Sequence, residues 1–227
     1  MTMKLYMHPV SMVSRPVRLF IADQKLPVSE EVVVDLMTGE HYGEAFTRIN
    51  PSRQVPVLED GDFRMTESSA ILKYLADRFK LEALYPADLQ KRAHVNEVMD
   101  WVNTGFYRDY GYGMAYPQLF PHHKRRSDEA HQATIEWGRE KSKYWLQVLN
   151  DHYIGAHGYL AGPQITIADY FAIGPVTLGE LIGCDFAAYP SVARWVANMK
   201  KLPSWAKVNE VFDGFAASLK GQKFSAV

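Results

Sequence analysis

The sequence predicts an α/β layer over residues 1–80 followed by a domain built only of helices. Residues 1–80 alternate short β-branched or apolar runs with segments of helical period, and strand signals vanish beyond Phe79. Between the two regions, residues 81–88 carry Tyr85-Pro86 and no clear period, so they read as a linker and leave 89–227 as the helical domain.

Taken in order, Lys4–Met7 is a short strand. Ser14-Arg15-Pro16 then reads as a helix start, with Ser14 as N-cap and Pro16 in the first turn, where a missing N–H costs nothing. Val13, Val17, Phe20 and Ile21 recur at helical spacing and carry that helix to Gln24. Glu31–Val34 is a second strand, and the β-α-β unit so formed takes a right-handed crossover. A weaker helix is expected over 42–49. Val57-Leu58-Glu59 and Asp62-Phe63-Arg64-Met65 flank Asp60-Gly61 as a hairpin, and Thr66-Glu67-Ser68 opens a helix with Ile71, Leu72 and Leu75 on one face. The order β-α-β-α-β-β-α, with parallel and antiparallel pairing in one small sheet, is a thioredoxin-like layer. Beyond it, helices are expected over 88–116, 127–153, 166–183, 190–200 and 204–218. Thr166 as N-cap and Asp169 at N3 form a capping-box variant whose role is folding.

Hydrophobic residues make up 47% and charged residues 22% of the 227, which gives a chain able to build a core rather than a disordered one. A formal net charge of -1 exerts no general pull toward nucleic acid. Met1–His8 lacks a leader's apolar run, and no stretch reaches the roughly 18 apolar residues of a membrane helix. A cytoplasmic enzyme is expected. With Cys184 as the sole cysteine, an intramolecular disulfide and a CxxC redox motif are excluded. His122-His123-Lys124-Arg125-Arg126 reads as a solvated basic loop; adjacent histidines do not face one another as metal ligands, and no metal is expected.

Three places carry candidate chemistry. Val55-Pro56, before a strand, is a candidate cis bond that would turn the Val55 backbone toward an extended peptide, although the trans form is far commoner. At the helix start Glu67-Ser68-Ser69, free N–H groups and the Ser68 hydroxyl suit an anion while Glu67 suits an ammonium; a plain helix cap is the alternative. Ser11, in the turn before the first helix, meets the positive end of that helix's dipole as a hydrogen-bond donor, or else binds its own backbone. Farther along, Phe106, Tyr107, Tyr110, Tyr112, Met114 and Tyr116 crowd the end of the long helix, with Gly111 and Gly113 breaking its regularity. They suit a flat apolar substrate or core packing equally. Arg108 among them fits a developing negative charge or a surface ion pair.

Together these features resemble the glutathione transferases, and among them a serine-type, theta-like bacterial member. The resemblance rests on Leu5-Tyr6 with Ser11-Met12-Val13-Ser14-Arg15, on Gly39-Glu40-His41, Ala45-Phe46 and Asn50-Pro51, and on Gln54-Val55-Pro56-Val57-Leu58. Asp60-Gly61-Asp62-Phe63, Thr66-Glu67-Ser68, Ala70-Ile71-Leu72-Tyr74-Leu75 and Thr166–Asp169 complete it, in order and over almost the whole chain. It implies Ser11 as the hydroxyl that activates the thiol of glutathione, with Tyr6 and Ser14 as runners-up. It implies a cis Pro56, and glutathione as co-substrate held by His41, Gln54, Val55, Pro56, Glu67 and Ser68. The second substrate, a small hydrophobic electrophile, would meet Phe106, Tyr107, Arg108, Tyr110, Tyr112 and Met114. A homodimer and a detoxifying role are implied as well. Dehalogenation, peroxide reduction and isomerisation would use the same thiolate, and a non-catalytic binding module on the same fold is the reading from another class.

Overall fold

The chain, described by a computed structural model over residues 3–227, builds its sheet around the first strand. β1 (Met3–Met7) buries Met3, Leu5 and Met7, the period of two that a sheet imposes. It pairs in parallel with β2 (Val28–Val33) and antiparallel with β3 (Val57–Asp60); β4 (Phe63–Met65) pairs antiparallel with β3, giving the order β2-β1-β3-β4. α1 (Ser14–Asp23) crosses between β1 and β2, while α2 (Glu44–Ile49) and α3 (Ser68–Arg78) complete the layer. This is the thioredoxin-like order that the sequence predicts.

The two faces of the sheet differ. On one, Leu5, Leu58, Val17, Phe20, Ile71 and Leu72 belong to a core shared with the helical domain. On the other, Val34, Phe46, Val55 and Val57 form a small separate cluster, joined by Tyr6. β2 starts at Val28 rather than Glu31, because its first residues pair with Met3 and Lys4 and Ser29 Oγ donates to the Met3 carbonyl at 2.8 Å. Edge pairing of that kind leaves no apolar signature in an exposed strand. Ser14 does not cap α1. It is the first helical residue and fully buried, and its N–H donates instead to Ser11 Oγ at 3.2 Å.

In the helical domain α4 (Leu89–Trp101) continues through wider π-helical turns at Val102–Phe106 and Arg108–Ala115 into α5 (Tyr116–Leu119). α6 (Asp128–Val148) ends in another such turn, Leu149–Ile154. The two long rods touch at Gly113 and Gly138. A Cβ on Gly138 would stand 2.4 Å from the Gly113 carbonyl carbon, so the approach requires glycine. α7 (Ile167–Thr177) is buried at every position, as a helix apolar all round must be, and packs against α1, α3 and α4. α8 (Pro190–Met199) and α9 (Trp205–Ser218) close the domain. One hydrophobic core therefore runs from β1 to α9.

The start of α7 is pinned by Asp169, which has no exposed surface. Its Oδ2 accepts from the Thr166 N–H at 2.8 Å and from the Thr166 hydroxyl at 3.1 Å, which is the capping box that the sequence shows. Its Oδ1 accepts from the Leu160 N–H and from Trp195 Nε1, both at 2.9 Å, so one carboxylate joins the preceding loop to α8. Asp169→Ala would leave three buried N–H donors unpaired, at about 1–3 kcal/mol each. The expected loss in denaturant-induced unfolding is about 3 kcal/mol or more, whereas Asp128→Ala, on the exposed first turn of α6, should change stability by less than about 0.5 kcal/mol.

Candidate functional site

A cleft of about 630 Å³ opens between the loops of the sheet and the π-helical stretch beyond α4, a size suited to a small molecule. Four loops of the α/β layer and one helical wall line it.

The first loop, between β1 and α1, carries Ser11. The Ser11 N–H donates to the His8 carbonyl at 3.0 Å and its carbonyl accepts the Arg15 N–H at 3.0 Å, which fixes the turn. Its Oγ accepts the Ser14 N–H at 3.2 Å. The oxygen is thus engaged as an acceptor at the helix N-terminus, and its own proton remains to be donated into the cleft. His8 Nδ1 accepts from the Val10 N–H at 3.3 Å, and burial lowers the pKa of this ring against the opposing pull of Asp35, so it is neutral at pH 7. From behind, α7 presses on the loop: a Cβ on Gly174 would stand 2.0 Å from the Met12 carbonyl oxygen and 2.6 Å from Pro16 Cγ.

The second loop is shaped by Asn50, itself only 3% exposed, whose amide donates to the Gln54 carbonyl at 2.7 Å and accepts from the Ser52 N–H at 3.0 Å. It presents Gln54, Val55 and Pro56 to the cleft, and the Val55–Pro56 bond is cis. In the third, Ser68 opens α3 and Glu67 precedes it with φ 64° and ψ 107°. A residue with a side chain held there costs on the order of 1–3 kcal/mol, an expense typical of binding sites. The N-terminal N–H groups of α3 favour an anion, and the exposed Glu67 carboxylate stands beside them. The fourth loop holds His41 against Tyr42, with ring centroids 3.9 Å apart. His41 Nδ1 is buried and has no partner within the described residues, and burial, then the proximity of His122, lowers the ring's pKa. An unpaired buried nitrogen at an open cleft is a position for a polar group of a ligand.

The helical wall presents Asn103, Tyr107, Arg108, Tyr112 and Tyr116. The hydroxyls of Tyr107 and Tyr116 are hydrogen-bonded, and burial raises both phenol pKa values, so they stay protonated. The Arg108 guanidinium pairs with Asp109 Oδ1 at 2.8 Å, while Asp109 Oδ2 accepts from Trp145 Nε1 at 2.8 Å. Phe106, Tyr110 and Met114, expected beside a substrate, do not line the cleft. Each is fully buried in the core, and the Tyr110 hydroxyl donates to the Val176 carbonyl at 3.3 Å. In a helix widened by π turns, residues four or five apart share a face, so 103, 107, 112 and 116 look into the cleft and 106, 110 and 114 look away.

Two further expectations change. His122 and His123 line the cleft as well as belonging to the loop; the half-buried His123 ring stacks on Tyr116 at 5.3 Å, while His122 and Lys124–Arg126 are exposed. Tyr6 turns to the other face of the sheet, where its hydroxyl donates to Glu59 Oε2 at 3.2 Å, and it is absent from the cleft lining. His8, Met12, Asn103 and Leu181, not singled out from the sequence, also line the cleft. A lone apolar or amide side chain gives no signal of which cavity it will meet. Among the described residues no cluster of three or more His, Cys, Asp or Glu could hold a metal ion, and no helix is long and apolar enough to cross a membrane.

Residues 1–77 match the family described as "Glutathione S-transferase, N-terminal domain" and residues 114–203 that described as "Glutathione S-transferase, C-terminal domain". The chain is 34% identical over 197 residues to glutathione S-transferase theta-1 of Homo sapiens, covering 86% of this chain and 81% of that protein. Among solved structures, human glutathione transferase theta-2 in complex with glutathione aligns with a TM-score of 0.83 at 28% identity, over 99% of this chain and 93% of that one. A glutathione transferase homologue from Drosophila mojavensis with bound glutathione aligns with a TM-score of 0.83 at 29% identity, over 98% of each chain.

The contact of α7 with the Ser11 loop can be tested from the α7 side, at a residue that does not itself line the cleft. Gly174→Ala is expected to displace the Met12 carbonyl and destabilise the fold by about 1–3 kcal/mol. Gly214→Ala on α9, where a Cβ would meet nothing within 4 Å, is expected to be neutral or to stabilise by up to about 1 kcal/mol. Denaturant unfolding of both variants gives the comparison.

Proposed function

The chain belongs to the glutathione S-transferase family, and from that premise we propose that Ser11 donates a hydrogen bond to the sulfur of bound glutathione and holds it as a thiolate. The protein is a glutathione transferase; the thiolate attacks an electrophilic carbon of a second, hydrophobic substrate. The observation that carries the Ser11 assignment is the Ser14 N–H on Ser11 Oγ, which fills an acceptor position of the oxygen and leaves its proton for an anion.

The magnitudes suffice. A free thiol of pKa about 8.5 is only a few per cent ionised at pH 7, and half-ionisation needs about 2 kcal/mol of preference for the anion. A hydrogen bond to a charged group supplies about 1.5–3 kcal/mol. The N-terminus of α1 adds about 0.3–1 kcal/mol. No general base is required.

In this reading Val55, beside the cis Pro56, pairs with the backbone of the cysteinyl residue, and Ser68 with the α3 N-terminus takes the γ-glutamyl carboxylate while Glu67 takes its ammonium. The unpaired His41 Nδ1 and Gln54 serve the remainder of the tripeptide. Tyr107, Arg108 and Tyr112 face the electrophile, with Arg108 available to negative charge developing on it. Residues 1–80 form the glutathione-binding layer, 81–88 the linker and 89–227 the helical domain. A cytoplasmic homodimer without metal completes the assignment.

Ser11→Ala should lower turnover with 1-chloro-2,4-dinitrobenzene by about 10- to 100-fold, the equivalent of the lost hydrogen bond, while glutathione affinity changes much less. Steady-state kinetics with both substrates varied gives the answer. Turnover within twofold of the parent would remove Ser11 from the role.

A further inference from the structure

Arg15 is 2% exposed, yet every partner of its guanidinium is neutral. Nε donates to Asn209 Oδ1 at 2.7 Å, Nη2 to Thr177 Oγ1 at 3.2 Å and Nη1 to Met12 Sδ at 3.3 Å, and the group lies 3.5 Å from the centroid of the Phe212 ring. The ionisable groups around it do not compensate the charge. Glu180 is held by Lys200 at 2.8 Å, Arg18 by Glu31 at 2.9 Å, Asp213 sits on the exposed side of α9, and Tyr116 keeps its proton. Burial accordingly drives the Arg15 pKa down to about 9, against the weaker opposing pull of Glu180 and Asp213.

A guanidinium sealed among neutral groups is unfavourable for folding, and an ion pair there would have relieved the penalty. The position explains what the charge can do. Arg15 is one helical turn from Ser11, and two of its neighbours, Met12 and Tyr116, line the cleft. Met12, 3% exposed, touches the guanidinium on one side and lines the cavity in which the thiolate would form on the other. Electrostatic attraction across a buried layer is screened far less than attraction across solvent.

We infer that Arg15 is a positioning residue for the reacting charge: its uncompensated cation, acting through Met12 and Tyr116 without touching the ligand, favours the thiolate over the thiol. The inference rests on the reading that the sulfur lies at Ser11. Attraction of this kind is strongest when the anion is present and offers the neutral thiol little, so it lowers the thiol pKa more than it tightens binding.

The test is the pKa of enzyme-bound glutathione, read from thiolate absorbance near 240 nm across a pH series on the intact protein. Arg15→Gln should raise that pKa by about one unit, and Arg15→Lys should restore most of the difference. Asn209→Asp keeps the shape of the site but sets a carboxylate against the guanidinium; it should raise the thiol pKa in the same direction, and it decides the matter alone if Arg15→Gln does not fold. Thr177→Val loosens the same packing while keeping the charge, and should leave the pKa unmoved. A merely structural role predicts lower stability in all these variants with no shift. If Asn209→Asp and any folded Arg15→Gln leave the thiol pKa unchanged while Ser11→Ala raises it, the role of Arg15 is overturned and that of Ser11 stands. If Ser11→Ala also leaves it unchanged, both fall.

Discussion

The close approach of α7 to the turn after β1 is the constraint on which the rest of the molecule depends. Gly174 lets one helix backbone rest on the Met12 carbonyl and the Pro16 ring, so the loop bearing Ser11 is clamped between its own sheet and the centre of the helical domain. The clamp makes two sequence regions into one body with one core, and it makes the functional loop a packed element rather than a surface one. Asp169 holds the other end of the clamp by fixing where α7 begins.

Within that frame, the chemistry assigned to Ser11 depends on how few groups it needs. A helix start supplies an oriented N–H, the serine oxygen accepts it, and the hydroxyl keeps a proton that it can donate. Burial lowers the pKa of His8, His41 and His123 and raises that of Tyr107 and Tyr116, so the charged groups lining the cleft are exposed ones such as Glu67 and Arg108. A single buried cation such as Arg15 carries weight that it would lose at a solvated surface.

The helical wall shows how helix geometry selects among similar residues. Phe106, Tyr107, Tyr110, Tyr112, Met114 and Tyr116 are alike in composition, yet π turns and the Gly113–Gly138 contact rotate three toward the cleft and three into the core. Period and propensity identify such a cluster, but the facing of each member depends on turns that close with i→i+5 bonds, and these have no sequence signature as regular as the 3.6 repeat.

Local chemistry was legible in the sequence wherever one residue type is nearly obligatory. The strand and helix order, the Asp60-Gly61 hairpin, the capping box of Thr166 and Asp169, and the loop positions of Ser11, Val55-Pro56 and Glu67-Ser68 follow from short-range rules of capping, turn formation and periodicity. The tertiary structure alone decided matters of contact between distant segments. These include Tyr6 on the far face against Glu59, Trp195 on Asp169, and His122 and His123 in the cleft. The same holds for the neutral surroundings of Arg15, drawn from α7 and α9, two helices far from it in the chain. The physical reason is that capping and periodicity act within about one helical turn, whereas burial and electrostatic environment are set by whichever segments the folded core brings together.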